Sequence, residues 1–358
     1  MNVGFVTHYY DREEGTGGYA VELVTRLAAR HEVTLYAAGV KTAPPASVTV
    51  VPVPAVTRRA YTTILSFPRA FAAVRRGHDV VHAQGWVTND ADVVTSHIVL
   101  DAWRRAARSH GVRPPLGERL LGGLVARNER RLLRRARRVI APSRRAAQDI
   151  REATGRNDGI TVIPHGCDRA ITPTPREEAR RRCGVPPDTF VAAYVGDARK
   201  GLDIATGALG YAKDAHLLVL SGSDRAPPLR LARQIGVAGR LHWSPAGTGA
   251  ADVFGAADVV LQPTIYDTFG MVVGEALALG LPVITSDRSG VAELIENGTS
   301  GLVVGPWPEE AGLALQQLAR DPALRQRLAA AGRAVAARYT WDETARRTAA
   351  VYSEARWP

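Results

Sequence analysis

Two carboxylates eight residues apart, Asp267 and Glu275, flank a Thr-Phe-Gly turn. The strand pattern DVVLQP ends at Pro263 before them, and a mostly apolar helical pattern begins near Phe269 or Gly270. If Phe269 is the first helical residue, Glu275 lies roughly 9 Å from it along the helix axis. The two carboxylates are then poorly placed to share one proton or one metal ion. They suit hydroxyl groups on two sugars of one nucleotide sugar, with the free amides of the helix between them for a phosphate.

A pair of adjacent cations, Arg199 and Lys200, follows a strand pattern that ends at Gly196. Open α/β sheets bind ligands at the carboxyl ends of their strands. Arginine can hold a phosphate with two hydrogen bonds, and lysine supplies a point charge. The chain has only three lysines, so composition alone does not explain Lys200. The pair predicts a phosphate site, and a solvated basic turn is the alternative.

The glycine-rich stretch GTGGYA, residues 15–20, lies between a predicted strand at 2–7 and a predicted amphipathic helix at 19–30. A dinucleotide site needs its first glycine directly after the strand and a carboxylate at the end of the second strand. Seven residues separate the first strand from Gly15, and the second strand ends without a carboxylate. A glycine-rich loop that opens a helix can still receive a phosphate. A simple turn is the alternative.

Short apolar runs that alternate with helical patterns should position these residues, and they predict parallel strands with helical crossovers. The runs lie at 2–7, 32–38, 48–53, 79–83, 92–97 and 138–143, and then at 190–196, 215–222, 240–245, 258–263, 281–286 and 301–305. The Pro- and Arg-rich stretch between the two groups, 168–189, has no strand pattern. We therefore predict an α/β protein with domains at 1–168 and 169–340 and a C-terminal helix at 341–358.

Composition excludes several classes of protein. Of 358 residues, 46% are hydrophobic and 23% are charged, which argues against a disordered chain. No apolar run approaches the roughly 18 residues that a membrane span needs, and the start has no secretory pattern. Cys167 and Cys183 are expected to be reduced thiols of a cytoplasmic protein. A D-x-D motif in a suitable place and a zinc-spaced His/Cys cluster are both lacking, so we predict no metal requirement.

The formal net charge of +11 is concentrated in an arginine-rich region, residues 104–145, where fourteen arginines stand against Glu118 and Glu129. A helical pattern at 116–138 within it has an apolar face through Leu120, Leu121, Leu124, Val125, Leu132 and Ala136. A basic amphipathic helix can lie on an anionic membrane, and an ordinary packed helix is the alternative. A nucleic-acid-binding protein is a remote alternative, because interleaved aromatic residues and a reading motif are missing.

Taken together and in order, these stretches resemble the E-x7-E retaining glycosyltransferases of family four, which have the GT-B fold. The resemblance covers most of the chain and includes DVVHAQ (79–84), DVVTSH (92–97), RVIAPSRRAAQDI (138–150), ITVIPHGCD (160–168) and SGVAELIENGTSGLVV (289–304). The C-terminal half particularly resembles the lipopolysaccharide-core glucosyltransferases through the stretch YVGDARKGLD (194–203). The fold implied is two Rossmann-like doubly wound domains that face a central cleft, with the C-terminal helix packed back on the N-terminal domain.

The resemblance also implies roles for matching residues. Arg199 and Lys200 would neutralise the donor diphosphate, and Glu275 would bind the ribose. His97 would contact the donor sugar near the reaction centre, although a buried histidine satisfied by its neighbours is the alternative. Backbone groups for the donor sugar and phosphates would come from Thr268, Phe269, Gly270 and Met271, and Gly17 and Gly18 would close over the phosphates. Asp267 replaces the usual glutamate of the family, so the identity of the transferred sugar is open.

The activity implied is metal-independent, front-face transfer of a hexosyl unit from a nucleotide diphosphate sugar, with UDP-sugars expected first. The C-terminal domain would bind this donor, and the N-terminal domain would bind a natural-product, saccharide or lipid-linked acceptor. No cofactor and no nucleic acid are expected as partners. Peripheral contact with the inner face of an anionic membrane through residues 104–145 would suit a lipid-linked acceptor. A sugar epimerase or phosphorylase of the same fold is the alternative.

Overall fold

The computed structural model describes residues 1–58, 60–112, 116–168 and 170–356, and the side chains of residues 60, 116, 118 and 119 are also outside this description. Arg113 of the arginine-rich region, and the side chains of Glu118 and Arg119 within it, therefore lie outside the described residues. The chain forms two compact units. The first consists of Met1–Gly166 and Trp341–Pro358, and the second of Cys167–Thr340.

The first unit is built on a seven-stranded sheet in the order β5-β3-β1-β6-β7-β8-β9. Every neighbouring pair is parallel, and a short parallel pair, β2 with β4, lies beside it. The central strands are almost wholly buried, as expected of a sheet that is covered on both faces. The strands are β1 Asn2–Val6, β2 Tyr9–Tyr10, β3 Glu32–Ala37, β4 Gly39–Val40, β5 Thr49–Pro52, β6 Val80–Gln84, β7 Val93–Thr95, β8 Arg138–Ala141 and β9 Ile160–Val162.

Helices connect these strands, and their ends follow local chemistry. The side chain of Ser143 accepts a hydrogen bond from the amide of Ala146 and so begins α5, which ends at Gly155 in the left-handed conformation. The helices of the unit are α1 Gly15–Leu27, α2 Ala60–Val74, α3 Leu100–Ser109, α4 Leu116–Arg135, α5 Arg144–Thr154 and the C-terminal α13 Trp341–Arg356.

The second unit has a six-stranded sheet in the order β12-β11-β10-β13-β14-β15. Its neighbouring strands are also parallel throughout. The order reverses between β10 and β13, and such a switch point opens a crevice at the carboxyl ends of the strands. The strands are β10 Phe190–Val195, β11 Ala215–Leu220, β12 Leu241–Trp243, β13 Val259–Gln262, β14 Val283–Ser286 and β15 Leu302–Val304.

The helices of the second unit are short near the switch point and longer towards its C-terminal end. They are α6 Arg176–Cys183, α7 Leu202–Ala208, α8 Ala226–Gln234, α9 Ala250–Ala256, α10 Met271–Leu279, α11 Pro308–Arg320 and α12 Pro322–Ala336. Three 3₁₀ segments, Ala198–Lys200, Ala238–Arg240 and Gly290–Leu294, complete the unit. A core around Val191, Val260, Phe269 and Val283 fixes β10, β13, β14 and the start of α10 against one another.

The predicted fold is confirmed, because the structure is α/β with two parallel, Rossmann-like sheets. Every predicted strand overlaps an observed one. The short strands β2, β4 and β9 were not expected, since two or three residues carry too little periodicity to be recognised. Within the described ranges, no helix is long and apolar enough to span a membrane.

Both ends of the first helix differ from the sequence prediction. Helix α1 begins at Gly15 and ends at Leu27, whereas the sequence predicted a loop at 15–18 and a helix at 19–30. Glycine lowers helix propensity, but here the glycines allow a tight contact. A Cβ on Gly17 would lie 2.6 Å from the carbonyl oxygen of Asp11. The preceding loop therefore packs directly on the first turn, and tertiary packing overrides propensity.

Candidate functional site

The turn that carries Arg199 and Lys200 leaves the carboxyl end of β10 as a 3₁₀ segment and enters α7 after Gly201. Gly201 has a φ of 95°, and a Cβ there would overlap the carbonyl oxygen of Pro263. Only glycine fits both the left-handed backbone and this close approach. The turn is thus pressed against the end of β13, the neighbour of β10 in the sheet.

This approach brings Lys200 into contact with the loop that leads to α10. Nζ of Lys200 donates to Oδ2 of Asp267 at 2.7 Å. The carboxylate is largely buried and the ammonium is not, with side-chain exposures of 11% and 43%. Oδ1 of Asp267 accepts the amide of Phe269 at 3.3 Å, and the amide of Asp267 donates to the carbonyl oxygen of Arg288 at 3.1 Å. Asp267 is therefore held on both sides and in turn positions the ammonium.

Arg199 has a different partner. Its Nε lies 3.0 Å and its Nη2 lies 3.2 Å from the two carboxylate oxygens of Asp197. Burial raises the pKa of Asp197, but hydrogen bonds and charge from Arg199 outweigh burial and hold that pKa below its ordinary value. The side chain of Arg199 is more than half exposed. It is pre-oriented by a bidentate pair at the carboxyl edge of the sheet and still faces solvent.

The start of α10 depends on Gly270, which has a left-handed backbone like that of Gly201. Gly270 precedes the helix with φ 98° and ψ 61°, and a Cβ there would lie 2.6 Å from Oγ of Ser289. That hydroxyl donates to the carbonyl oxygen of Phe269 at 2.9 Å. Thr268 and Phe269 are buried, and Met271 is the first helical residue. The first amides of a helix have no acceptor within the helix, so this end of α10 is suited to an anion.

Helix α10 begins one or two residues later than the sequence predicted. Glu275 is therefore its fifth residue, roughly 6 Å from Met271 along the axis and not the 9 Å expected. The left-handed Gly270 causes the difference, because the chain cannot be helical before it. Glu275 is only 5% exposed. Burial first, and then the charges of Asp168 and Glu275, raise the pKa of the Cys167 thiol to about 12, so this cysteine is an inert neighbour of the carboxylate.

In the first unit, Gly17 and Gly18 are both buried in the first turn of α1. The amide of Gly18 donates to the carbonyl oxygen of Glu14 at 2.6 Å. Because that amide already has an acceptor, Gly18 would serve a phosphate only through the space left by its lack of a side chain.

His97 follows β7 in the first unit. Its Nε2 lies 2.7 Å from Oε1 of Gln84, and its ring packs edge-on against Tyr19 with centroids 4.7 Å apart. The ring of His165 lies 5.6 Å away. Desolvation lowers the pKa of His97 to about 3, so the imidazole is neutral at physiological pH. The residue is partly exposed, and a neutral, oriented histidine is suited to binding hydroxyl groups.

The arginine-rich region forms α3, α4, β8 and the start of α5. Its predicted apolar face is divided, because Val125, Leu132 and Ala136 are buried whereas Leu120 and Leu124 are 72% and 47% exposed. One surface depression on α4 is lined by Arg127, Arg130, Arg131, Arg134 and Arg135. Helix α4 thus packs through its C-terminal half and exposes leucines nearer its start.

Several residues that organise these sites were not singled out from the sequence. They are Asp197, Gly201, Ser289 and Gln84. The positions of Gly201 and Gln84 carried a signal, a glycine directly after the cations and a polar residue at the end of an apolar strand. Within the parts of the chain that the structure describes, no group of three or more His, Cys, Asp or Glu side chains is placed to hold a metal ion.

Two family models match adjacent halves of the chain. The model described as glycosyltransferase family 4 matches residues 14–171, and the one described as glycosyl transferases group 1 matches residues 175–335. A D-inositol 3-phosphate glycosyltransferase of Xylanimonas cellulosilytica is 31% identical over 307 residues, which are 78% of this chain and 72% of that protein.

Solved structures show the same fold. WaaG, a glycosyltransferase involved in lipopolysaccharide biosynthesis, superposes with a TM-score of 0.79 at 19% identity over 98% of this chain and 99% of that chain. HepE of Anabaena, solved in complex with UDP-glucose, has a TM-score of 0.72 at 17% identity over 99% of this chain and 100% of that chain. At such identities the likeness shows the fold alone.

Proposed function

Because this chain belongs to the family four, group 1 glycosyltransferases, we propose that it moves a hexosyl unit from a nucleotide diphosphate sugar to an acceptor hydroxyl with retention of anomeric configuration. UDP-sugars are the expected donors. The support for this donor class is HepE, a protein of the same fold whose structure contains UDP-glucose.

The observation that carries the proposal is the Lys200–Asp267 ion pair at 2.7 Å beside the start of α10. It places an exposed ammonium, a buried carboxylate and the N-terminus of a helix at the carboxyl edge of one parallel sheet. The amides and the ammonium suit the two phosphates of a donor, and the carboxylate suits its sugar hydroxyls. Glu275, one turn further along α10, is assigned to the ribose.

The proposed reaction exchanges one bond for another on the same face of the sugar. The bond from the anomeric carbon to the phosphate oxygen breaks, and the acceptor oxygen forms its bond to that carbon. The proton of the acceptor hydroxyl passes to the departing phosphate oxygen. Lys200, Arg199 and the amides of α10 stabilise the charge that grows on the diphosphate, and no metal ion is required. His97 is assigned to the donor sugar, and Gly17 and Gly18 are assigned to the phosphates.

The acceptor is proposed from the charge of the chain and from its relatives. A net charge of +11 favours anionic acceptors. The similar proteins are named for D-inositol 3-phosphate, so a phosphorylated polyol is the first acceptor to test, followed by neutral saccharides and natural products.

A lipid-linked acceptor would be reached from an anionic membrane surface, on the cytoplasmic side. Leu120 and Leu124 are exposed on α4, and the same helix carries a cluster of arginines. Sedimentation with anionic vesicles tests this contact, and a Leu120→Ser, Leu124→Ser variant should sediment less. The matched control is Leu313→Ser, which removes a leucine that is 56% exposed in the second unit. Equal sedimentation of all three proteins would refute the contact.

The experiment that tests the function uses the full chain, UDP-glucose and D-inositol 3-phosphate, with and without EDTA. Proton NMR of the product should show the α-configuration of the donor, at the same rate in both buffers. A β-linked product would contradict retention, and a rate abolished by EDTA would contradict metal independence. An epimerised nucleotide sugar without acceptor, or a sugar 1-phosphate formed only with added phosphate, would instead identify the epimerase or the phosphorylase.

A further inference from the structure

A chain of hydrogen bonds runs from His97 into the core of the first unit. Oε1 of Gln84 lies 2.7 Å from Nε2 of His97, and Nε2 of Gln84 lies 3.1 Å from Nε2 of His82. Nδ1 of His82 then lies 2.7 Å from the hydroxyl of Tyr352 on α13. Gln84, His82 and Tyr352 are each no more than 3% exposed. Polar groups at this depth are costly unless they are hydrogen-bonded.

The chemistry of the amide links the protons of the two histidines. The amide nitrogen of Gln84 can only donate, so the Nε2 of His82 that faces it must accept. Neutral His82 then carries its proton on Nδ1 and donates it to Tyr352. The amide oxygen of Gln84 can only accept, so His97 must carry its proton on Nε2. These proton positions follow from the hydrogen-bond network, in which the amide nitrogen of Gln84 faces His82 and its oxygen faces His97.

Only one other arrangement of the protons satisfies this series of hydrogen bonds. If the amide of Gln84 turns over, His82 carries its proton on Nε2, Tyr352 donates to Nδ1, and His97 becomes protonated on Nδ1. The hydroxyl of Thr95, 2.8 Å from Nε2 of His82, can donate or accept, so in either arrangement it shares that nitrogen with the amide of Gln84. The tautomers of His82 and His97 are thus coupled through a single buried amide.

We propose that Tyr352, His82 and Gln84 are positioning residues that hold His97 as the tautomer protonated on Nε2, with its lone pair on Nδ1. The effect of this tautomer on catalysis rests on the proposed function, in which His97 contacts the donor sugar. In this tautomer Nδ1 of His97 can only accept, so a sugar hydroxyl that bonds to it there must donate. The C-terminal helix would then act on the reaction through Tyr352, without touching the substrate.

The surroundings of the two rings favour neutral histidines. His97 meets Tyr19 of α1, His165 of the loop after β9 and Gln84 of β6. His82 meets Phe5 of β1, Thr95 of β7 and Tyr352. None of these neighbours is a carboxylate that would favour an imidazolium. Desolvation, with a smaller effect of His97, lowers the pKa of His82 to about 3, so both rings are neutral where the enzyme is assayed.

The test is the tautomer itself, read from two-bond proton–nitrogen correlations in the full chain labelled with ¹⁵N-histidine. Wild type should show the proton of His97 on Nε2 and that of His82 on Nδ1. Tyr352→Phe removes the acceptor of His82, and a buried donor without a partner is destabilising. We expect His82 to move its proton to Nε2, the amide to turn over, and His97 to move its proton to Nδ1. In the transfer assay, kcat should fall about tenfold with little change in donor KM.

The matched control is Tyr36→Phe. Tyr36 is a buried tyrosine of the same unit whose hydroxyl lies 2.8 Å from Nε2 of His78, outside the chain to His97. It should lose similar stability and leave the signals of His97 and His82 unchanged. A wild-type His97 protonated on Nδ1, or His97 signals identical in Tyr352→Phe and wild type, would overturn the proposal. Gln84→Leu serves as a second variant if Tyr352→Phe does not fold, and it should uncouple the two rings. Because the spectra need no substrate, this result is independent of whether transfer is observed.

Discussion

Nζ of Lys200 lies 2.7 Å from Oδ2 of Asp267, and this ion pair joins the turn after β10 to the loop before α10. The two residues are 67 positions apart in the chain. They meet because β10 and β13 are neighbours in a parallel sheet. The pair fixes the position of one cation next to a helix start, where a diphosphate would need it.

Replacing Lys200 by alanine should weaken binding of UDP by at least tenfold. A hydrogen bond to a charged group contributes about 1.5–3 kcal/mol, and the variant also leaves the largely buried carboxylate of Asp267 without its cation. Calorimetric titration with UDP measures the change. Lys213→Ala removes an exposed lysine of the same unit and should bind UDP like wild type. Equal affinities for the two variants would remove Lys200 from the binding site.

Replacing Asp267 by glutamate should change which donor sugar is preferred. The added methylene displaces the carboxylate from its present position 2.7 Å from Lys200. The distance from the carboxylate to the sugar hydroxyls changes as well. The ratio of kcat/KM for UDP-glucose and UDP-galactose should shift about tenfold, the effect of one well-placed hydrogen bond. Asp188→Glu, an exposed substitution of the same kind, should leave the ratio unchanged. An unaltered ratio in Asp267→Glu would show that Asp267 does not contact the sugar.

Gly270→Ala should destabilise the second unit and reduce activity. The left-handed backbone with φ 98° costs a residue with a Cβ about 1–3 kcal/mol, and the added atom would also meet Ser289. Urea unfolding measures the loss. In contrast, Gly222 has open space around a Cβ, so Gly222→Ala should change stability by less than about 0.5 kcal/mol. Equal stability of the two variants would contradict the strained start of α10.

Glu129 should make the stability of the protein depend on pH. Its Oε2 accepts the amide of Leu100 at 2.8 Å, and burial raises its pKa from 4.5 to about 8. The folded state therefore retains a proton that the unfolded state releases, and the unfolding free energy should fall as pH rises from about 4.5 to 8. Glu129→Gln keeps the acceptor, removes the titration and should flatten this slope.

The control for this effect is Glu152→Gln, which removes a half-exposed carboxylate paired with Arg105. Its unfolding free energy, measured in urea across the same pH range, should follow the slope of wild type. If Glu129→Gln has that slope too, then Glu129 is ionised in the folded protein at neutral pH.

The strands were predictable from the sequence because a parallel sheet covered on both faces needs continuous apolar runs. That Lys200 and Asp267 lie at one edge of a sheet was predictable too, since both residues follow strand ends. The ion pair itself was not, because the close approach depends on Gly201 and on its packing against Pro263. Two cations in a row give no sign that Arg199 will pair with Asp197 and Lys200 with Asp267.

The chain from His97 to Tyr352 shows where sequence reasoning ends. Tyr352 lies 270 positions from His82. The sequence pattern around Tyr352 predicts only a buried residue on an amphipathic helix. Likewise, the start of α1 was placed too late because glycines predict a loop, whereas Gly17 packs against Asp11. Such contacts arise from packing between distant elements, which local propensity does not contain.

The most direct test of a donor site at Lys200 and Asp267 needs no acceptor. The purified chain would be incubated with UDP-, GDP-, ADP- and TDP-sugars in turn, and slow release of the nucleoside diphosphate would be followed by ³¹P NMR. We predict release from at least one donor, with UDP-glucose first, and loss of that release in Lys200→Ala but not in Lys213→Ala. Folded protein that neither hydrolyses any of these donors nor is stabilised by any nucleoside diphosphate would contradict the account.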